Sequence, residues 1–432
     1  MKVLFIAPAF PVPAHSGGAI ATLGTLQSIH SLCEVHLLVP PPEADRSANE
    51  ALLQRLLPHI SVHFYSSREV QPTRLKMYAT AAKSAFTRRS YWASIWRNPE
   101  LRVTVERLAA QHHYDVVHCE WLQPAISLKG LKLPVLIRTL DVHFVGMRDW
   151  AESLPRGDKL RKSFWGSQAQ HFRRFEAATL AAVPAVVTVS AEDEAVLRGE
   201  GVSHIVTIPP PREVEPEATS FESDESCRAL FMGRLDMAVN REAFFLFADK
   251  VWPHVSAEWR TRVKTAFAGG FPDEQVRRRA YECGIEIYAP LSDTQAMRLF
   301  AEADIFLSPV ASGTGIKIKT VEAMAHGKPI IGFAGAFRGV PAEHGIHALI
   351  ANSPEEFARL FEGLIFDPAR RCAIGSAARE FVRLNFDPGT LAARLVSVYS
   401  RTAESYAQGS LRQSLSKWRA ATKVVKNDTK TW

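Results

Sequence analysis

The 432-residue chain lacks any apolar run that approaches the ~20 residues a membrane-spanning helix needs. Its five cysteines are widely spaced and form no Cys-x-x-Cys pair, so neither a disulfide framework nor a zinc site is expected. The loop after the first apolar run has no Gly-x-Gly-x-x-Gly fingerprint, which argues against a dinucleotide site. An Asp-x-Asp metal motif is also missing, and we expect no metal and no cofactor.

The composition is that of a globular enzyme, with 47% hydrophobic and 22% charged residues and a length that suggests two domains. The apolar start at Val3–Ala7 is too short for a secretion signal and runs into prolines, so it predicts a buried strand and a cytoplasmic protein. The net charge of +7 favours an anionic partner, such as a membrane surface or a phosphorylated substrate. No nucleic-acid-binding motif accompanies this charge, and we expect no nucleic acid partner.

Short apolar runs alternate with segments of helical spacing in both halves of the chain. Runs without polar alternation indicate strands buried on both faces, and the alternation predicts βαβ units with parallel sheets. The predicted strands are Val3–Ala7, Val35–Val39, Val116–Cys119, Val135–Thr139 and Ala185–Ser190, then Ala229–Gly233, Lys264–Ala268, Ile285–Tyr288, Ile305–Ser308 and Pro329–Phe333. We expect two doubly wound α/β domains that bind ligands at the carboxyl ends of their strands.

The domain boundary is predicted where Pro209, Pro210 and Pro211 open a stretch rich in proline, glutamate and serine. An N-terminal domain then covers residues 1–208, a linker 209–226 and a C-terminal domain 227–385. The helices of residues 386–432 are expected to pack back on the N-terminal domain and to end in a basic tail.

Two basic segments leave two interpretations open. In the tail, Leu411, Leu415 and Trp418 share one helical face among basic residues. The segment Arg74–Arg102 mixes arginines with aromatic residues, among them Arg88, Arg89, Tyr91, Trp92 and Trp96. Each segment fits a helix on an anionic membrane or an ordinary packed helix with a basic surface. Contact with the inner face of the cell membrane is therefore one of two alternatives.

The most informative segment runs from Ser308 to Gly327. A strand ends near Ser308, a loop with Gly313 and Gly315 follows, and a helix is predicted from about Ile316. Unpaired N–H groups at a helix start, together with the helix dipole, attract an anion. Glycine lets the backbone approach a phosphate closely. The pattern therefore predicts an anion site, although a glycine turn before a helix can also be a simple cap.

Charged side chains in the predicted helix extend this site. Lys317 and Lys319 add cationic donors beside the glycine loop. Glu322 lies about two turns into the helix, where its carboxylate can accept hydrogen bonds from ligand hydroxyls.

The segment resembles the donor-binding motif of retaining GT-B glycosyltransferases, the group 1 or family-four enzymes. In that motif two glutamates are separated by seven residues and followed by Ala-Met-Ala and a small-residue turn. The similarity extends from the Gly17-Gly18 loop to about Asn385 and is strongest between Asp304 and Gly332. It implies two Rossmann-like domains that face each other across a cleft, and a nucleotide-sugar donor.

The resemblance assigns Glu322 to the ribose of the nucleotide and the loop residues Gly313, Gly315 and Ile316 to the donor. The family's first glutamate, which contacts the donor sugar, falls on Thr314. This departure leaves the identity of the donor sugar open.

A second motif follows the strand that opens the C-terminal half, in Phe231–Asp236. The planar fork of Arg234 suits a diphosphate, and the resemblance assigns it that role. The lysine that relatives carry a few residues later is missing, and Asn240 lies near its place. Lys317 or Lys319 could supply the lost charge. The competing interpretation of Arg234 is a surface salt bridge.

Two further stretches match the family's donor contacts. Gly17 and Gly18 resemble the N-terminal loop that approaches the donor phosphates and the acceptor, although an ordinary strand–helix turn would also fit. In the stretch from Tyr288 to Leu291, the resemblance implies that main-chain groups contact the nucleobase.

Polar residues also follow two strands of the N-terminal half. His118 and Glu120 end one strand, and Arg138, Asp141 and His143 end the next. The strand-end rule directs all of them towards the cleft. Leu140 occupies the position of the family's usual histidine, and His143 occupies the position of its glutamate. His143 and Glu120 are therefore candidate catalytic residues, together with Arg234 and Lys319.

These features predict metal-independent transfer of a sugar from a nucleotide diphosphate to a glycan or lipid-linked acceptor. The resemblance implies retention of anomeric configuration, with the leaving phosphate helping to deprotonate the acceptor. Bacterial polysaccharide or lipid-linked glycan assembly is the usual setting of such enzymes. Two alternatives stay open: an inactive glycosyltransferase-like subunit, which Thr314 and Leu140 suggest, and a nucleotide-sugar epimerase.

Overall fold

The computed structural model describes residues 1–14, 16–42, 44–66, 79–81, 83, 84, 87, 90–154, 157–214 and 227–409. The chain divides into two compact units, one formed by residues up to Pro211 and the chain from Pro388 onward, the other by Arg212–Asp387. Most of the predicted linker, the basic tail beyond Gly409, and Arg74, Arg88 and Arg89 lie outside the described residues.

The first unit contains a seven-stranded parallel sheet. Its strands are β1 (Lys2–Ile6), β2 (Glu34–Val39), β3 (Ser61–Phe64), β4 (Val116–Glu120), β5 (Val135–Thr139), β6 (Ala185–Thr188) and β7 (Ile205–Thr207). Their order is β3-β2-β1-β4-β5-β6-β7, with Phe5 beside His118 in the register of β1 and β4. The order reverses between β1 and β4, which makes their carboxyl ends the topological switch point.

The helices of this unit follow the strands as in βαβ folds. They are α1 (Gly17–Ile29), α2 (Arg46–Leu56), α3 (Tyr91–Ile95), α4 (Pro99–Gln111), α5 (Leu122–Ser127), α6 (His143–Ser153), α7 (Lys159–Ala181) and α8 (Ala191–Gly199). Their start signals are local: Ser16 caps α1 through the N–H of Ala19, and Asn98 caps α4 ahead of Pro99.

The second unit contains a six-stranded parallel sheet. Its strands are β8 (Cys227–Met232), β9 (Val263–Ala268), β10 (Glu286–Tyr288), β11 (Ile305–Ser308), β12 (Ile330–Phe333) and β13 (Leu349–Ala351). The order β10-β9-β8-β11-β12-β13 reverses between β8 and β11. The carboxyl ends of those two strands carry the Gly233-Arg234 turn and the glycine loop.

The helices of the second unit alternate with its strands, as predicted. They are α9 (Ala238–Leu246), α10 (Ala257–Arg262), α11 (Glu274–Cys283), α12 (Asp293–Glu302), α13 (Ile318–Ala325), α14 (Pro354–Phe366) and α15 (Pro368–Asn385). The helix α9 ends at Leu246, and a π-helical turn follows at Phe247–Val251. The helix α13 begins at Ile318, where the helical pattern Ile318–His326 predicts it; it does not begin at about Ile316, because Lys317 has a ψ of 82°, outside the helical range.

A final helix, α16 (Pro388–Ala407), belongs to the first unit. Leu391, Leu395 and Val398 lie buried among the core residues of that unit. The hydroxyl of Tyr399 lies 2.7 Å from Nδ1 of His118, and the Nε2 of the same ring lies 2.8 Å from Glu120. The chain therefore returns from the second unit to complete the core of the first.

The prediction of two parallel-sheet α/β units is confirmed, since both sheets contain only parallel strand pairs. Within the described ranges, no helix combines the length and the apolar character needed to cross a bilayer.

We predict that Tyr399→Phe destabilises the first unit by about 1–3 kcal/mol, because it leaves the buried Nδ1 of His118 without its donor. Urea unfolding followed by tryptophan fluorescence measures this change. Tyr406→Phe, near the end of the same helix, is the matched control, because the Tyr406 side chain is only partly buried. Equal stability of the two variants would contradict the assigned hydrogen bond.

Candidate functional site

The loop between β11 and α13 has the backbone that its glycines predict. Gly313 and Gly315 have φ angles of 110° and 68°, values that residues with a Cβ rarely adopt. The ammonium of Lys317 donates to the carbonyl of Thr314 at 2.9 Å and lies over the loop. The backbone N–H of Lys317 donates to the carbonyl of Arg338 at 3.3 Å, so this amide already has a protein acceptor.

Lys319 joins this loop to the end of β8. Its ammonium donates to Oδ1 of Asn240 at 2.7 Å and lies 4.8 Å from the centroid of the Phe231 ring. A Cβ at Gly233 would collide with this ammonium, so only glycine leaves room for it. Burial, followed by the charge of Lys317, lowers the pKa of Lys319 to about 8. The second unit therefore holds a partly desolvated cation beside the glycine turn.

Asn240 is the residue that positions Lys319. Its side chain is buried, and its amide nitrogen donates to the carbonyl of Arg234 at 2.7 Å. One amide thus connects the turn after β8 to the lysine of α13. Lys319 lies next to Asn240, which occupies the approximate position of the family's lost lysine. Of the two lysines that the sequence left as alternatives for this charge, Lys319 contacts Asn240 and Lys317 contacts the carbonyl of Thr314.

The guanidinium of Arg234 lies at the surface of the second unit. It donates to both carboxylate oxygens of Asp236, at 3.1 and 2.6 Å, and lies 5.4 Å from the Phe271 ring centroid. Its side chain is 47% exposed, so a ligand can reach it. The hydrogen bond with Asp236 raises the pKa of Arg234 further above its ordinary value. A diphosphate at Arg234 would have to compete with Asp236.

Glu322 lies on α13 and faces Arg212, a residue that the sequence patterns did not identify. The guanidinium of Arg212 lies 3.4 Å from Oε1 of Glu322, and each side chain is about a quarter exposed. The backbone N–H of Arg212 donates to the carbonyl of Phe386, which fixes this segment to the end of α15. The carboxylate therefore already has a cationic neighbour within its own unit.

The predicted nucleobase stretch lies at the end of β10. The side chain of Tyr288 is exposed, and its hydroxyl donates to Glu286, which raises the pKa of the tyrosine to about 12. The carbonyl of Tyr288 accepts from the N–H of Gly269, and Leu291 packs against the core of the unit.

In the first unit, Gly17 and Gly18 begin α1. A Cβ at Gly18 would collide with the indole of Trp121, so the second glycine is required by a close contact. Trp121 follows β4 with a positive φ of 73°, which is uncommon for a residue with a bulky side chain. Gly18 is therefore more than a flexible turn residue, because it makes room for an aromatic ring.

Glu120 is buried, contrary to the expected direction of the strand-end side chains. It is fully buried and accepts from Arg138 at 2.8 Å and from His118 at 2.8 Å. Burial alone would raise the pKa of Glu120, but Arg138 and His118 outweigh it and hold the pKa below its usual range. Arg138 also donates to Thr25 of α1. These side chains tie β4, β5 and α1 together inside the unit, and none of them opens to solvent.

His143 takes a different position, at the start of α6. Its Nδ1 lies 3.3 Å from a carboxylate oxygen of Asp141 and 3.3 Å from one of Glu176. Its Nε2 lies 3.4 Å from the amide nitrogen of Gln123. Burial lowers the pKa of His143, but the two carboxylates outweigh it and raise it to about 9. The structure therefore brings His143 and Asp141 together, whereas Glu120 is buried among Arg138 and His118.

A family model matches most of the second unit. Residues 226–367 match the model described as glycosyl transferases group 1. The chain is also 22% identical, over 401 residues, to an uncharacterized 44.6 kDa protein in the cps region of Klebsiella pneumoniae; the match covers 89% of this chain and 96% of that one.

Solved glycosyltransferases share the fold over nearly the whole chain. Anabaena Alr3699/HepE, crystallised in complex with UDP and glucose, is 14% identical with a TM-score of 0.64, and the match covers 93% of this chain and 99% of that one. Sucrose-phosphate synthase from Thermosynechococcus elongatus is 15% identical with a TM-score of 0.67, covering 92% and 98%. At these identities the likeness establishes the fold. The chain therefore has the GT-B fold of these structures, and its match to the group 1 model lies in residues 226–367 of the second unit.

Proposed function

We propose that the protein transfers a sugar from a nucleoside diphosphate sugar to a glycan or lipid-linked acceptor, with retention of configuration and without a metal. The observation that carries this proposal is the cation of Lys319, which lies 2.7 Å from Asn240 at the end of β8. A cation of low hydration beside a glycine turn suits the two phosphates of such a donor. No cofactor is required, because the nucleotide sugar is itself a substrate.

In the proposed reaction, the bond between the anomeric carbon and the diphosphate oxygen breaks, and a bond from the acceptor oxygen forms on the same face. The acceptor's proton goes to the leaving phosphate. Negative charge grows on the diphosphate as its bond breaks, and Lys319 and Arg234 are the side chains proposed to stabilise it. The loop between β11 and α13 would contact the same phosphates through Gly313, Thr314, Gly315, Ile316 and Lys317.

The remaining donor contacts are assigned as follows. Glu322 would accept hydrogen bonds from the ribose hydroxyls, and Arg212 would keep its carboxylate ionised and in place. The nucleobase would bind at Tyr288–Leu291, and Gly17, Gly18 and His143 would contact the sugar or the acceptor. The crystal structure of Anabaena HepE with UDP and glucose supports a uridine donor as the first one to test.

The relative from the cps region supports a setting in polysaccharide or lipid-linked glycan assembly. We propose that the protein works on the cytoplasmic side, where nucleotide sugars are available, and that contact with the inner face of the membrane brings it to a lipid-linked acceptor. The basic tail lies outside the described residues, whereas Tyr91, Trp92 and Trp96 of the other segment pack in the first unit, as an ordinary packed helix would.

Incubation of the purified protein with UDP-sugars and lipid-linked acceptors tests the function. Transfer of the sugar, with the product's anomeric configuration determined by NMR, supports it. Binding of UDP without transfer or donor hydrolysis would instead favour an inactive subunit, which Thr314 in place of the family's sugar-contacting glutamate suggests. Conversion of the donor sugar without an acceptor would indicate an epimerase.

We predict that UDP affinity falls as the pH rises through about 8, because Lys319 loses its charge there. Because the pKa of Lys319 is lowered, its side chain is charged at pH 7 and largely neutral at pH 9 in the free protein. The affinity for UDP therefore drops by up to about tenfold over this range. Isothermal titration calorimetry at several pH values measures this. Lys319→Arg should remove the dependence, whereas the surface variant Lys250→Met should retain it. An unchanged slope in Lys319→Arg would contradict the assignment.

Glu322→Ala should weaken UDP binding by about 10- to 150-fold, since a charged acceptor contributes roughly 1.5–3 kcal/mol. Calorimetry with UDP and with 2′,3′-dideoxy-UDP locates the effect, because the analogue lacks the ribose hydroxyls. Glu355→Ala, an exposed glutamate on α14, is the control. If the variant loses affinity equally for both ligands, Glu322 does not bind the ribose.

Arg234→Ala is expected to lower kcat by about 100-fold and to raise the donor Kd by less than about fivefold, because the diphosphate gains charge in the transition state. Steady-state kinetics with calorimetric Kd values separate the two effects. Arg278→Ala, an exposed arginine on α11, serves as the control. A loss confined to affinity would remove Arg234 from the catalytic step.

A further inference from the structure

Glu176 lies in the long helix α7 and reaches the start of α6 with a fully buried side chain. Its Oε1 accepts from the backbone N–H of His143 at 3.2 Å, and its Oε2 accepts from the N–H of Phe144 at 3.0 Å. Both carboxylate oxygens are thus used at the first turn of α6. The helix start and the buried carboxylate hold each other in one geometry.

The same carboxylate also controls the imidazole of His143. Oε1 of Glu176 lies 3.3 Å from Nδ1, and a carboxylate oxygen of Asp141 lies at the same distance. Two acceptors at Nδ1 keep a proton on that nitrogen. The rings of Trp96, which follows α3, and Phe172, from α7, pack against the imidazole with centroids at 5.3 and 6.1 Å. The ring therefore has one orientation, with Nε2 directed away from the carboxylates.

The charge of the ring follows from its neighbours on every side. Among the described residues, the charged groups that face it are Asp141, which precedes α6, and Glu176, from α7. The helix α5 contributes the neutral amide of Gln123. The rings of Trp96 and Phe172, which also contact the imidazole, are uncharged. Burial lowers the pKa of His143, but the two carboxylates raise it to about 9. At neutral pH both ring nitrogens carry protons, so Nε2 is a donor.

Gln123 occupies the position in front of Nε2. A protonated imidazole only donates, so the amide oxygen is the group that can satisfy it, and a half-turn of the amide exchanges its oxygen and nitrogen. Within the described part of the chain, Oε1 of Gln123 is buried without a hydrogen-bond partner, and the half-turn would bring this oxygen to Nε2 of His143. An amide oxygen therefore stands where an oxygen of a substrate could replace it.

We propose that Glu176 positions His143 so that its Nε2–H donates a hydrogen bond to an oxygen of the sugar substrate, in place of Gln123. His143 then serves as a cationic hydrogen-bond donor in a fixed position, and the proton of the acceptor hydroxyl goes to the leaving phosphate. This inference rests on the proposed glycosyl transfer and makes it more specific. It excludes His143 as the general base and agrees with a leaving phosphate that accepts the acceptor's proton.

The variant that tests this is Glu176→Gln, which keeps the shape of the side chain and removes its charge. NMR titration of the imidazole resonances, with His143→Gln to assign them, gives the pKa of His143 in the free protein. We expect it to fall from about 9 towards the ordinary value of 6.5. Asp141→Asn, which changes a partly exposed carboxylate, should lower it less and provides a second test if Glu176→Gln fails to fold. Glu50→Gln, on α2, is the control.

The pH profile of kcat at saturating donor gives the catalytic readout, since bound diphosphate keeps Lys319 protonated. Wild-type activity should fall as the pH rises through about 9, and Glu176→Gln should move this fall to lower pH while kcat at pH ~6 stays within about threefold. Activity that rises with the deprotonation of His143 would identify a base and overturn the proposal, as would an unchanged pKa in Glu176→Gln. Wild-type protein that transfers no sugar would instead refute the proposed function, and the NMR titration would still decide whether Glu176 sets the charge of His143.

Discussion

The contact between the ammonium of Lys319 and the amide of Asn240 is the interaction on which the rest of the second unit's site depends. It holds a partly desolvated positive charge at the end of β8, at a position that a Cβ on Gly233 would overlap. The amide nitrogen of Asn240 donates to the carbonyl of Arg234, which fixes the turn after β8. The ammonium of Lys317 donates to the carbonyl of Thr314 in the glycine loop. A cation kept away from bulk water interacts strongly with phosphate, at the cost of a lowered pKa.

The first unit has the opposite electrostatic requirement, because its buried carboxylates need positive partners. Glu120 is neutralised inside the core by Arg138 and accepts a hydrogen bond from His118, which in turn accepts one from Tyr399 of the last helix. Glu176 is neutralised by the start of α6 and by the imidazole of His143. Of these two carboxylates, one stabilises the attachment of α16 and the other fixes a histidine near the strand ends. Two acidic residues of similar burial therefore have different consequences.

Much of the architecture could be predicted because its signals are local. Apolar runs such as Ile305–Ser308 coincide with observed strands, and the positive φ angles of Gly313 and Gly315 agree with the glycine pattern. The direction of the side chains could not be predicted in the same way. The strand-end rule predicts that Glu120 opens to the cleft, yet Arg138 from the neighbouring strand and the hydroxyl of Thr22 on α1 enclose it. Strand order and helix packing, which bring those residues together, are not encoded in the spacing of β4.

Periodicity and turn chemistry act over a few residues, so the amino-acid sequence alone was enough to specify two parallel α/β units, the glycine loop with its lysines, and the place of Glu322 on the following helix. Which lysine approaches the end of β8, which arginine faces Glu322, and which carboxylate holds His143 became clear from the folded chain. Asn240 and Lys319 are 79 residues apart, Arg212 and Glu322 are 110 apart, and His143 and Glu176 are 33 apart. Each contact depends on the order of strands and on the helices packed against them, which no local pattern specifies.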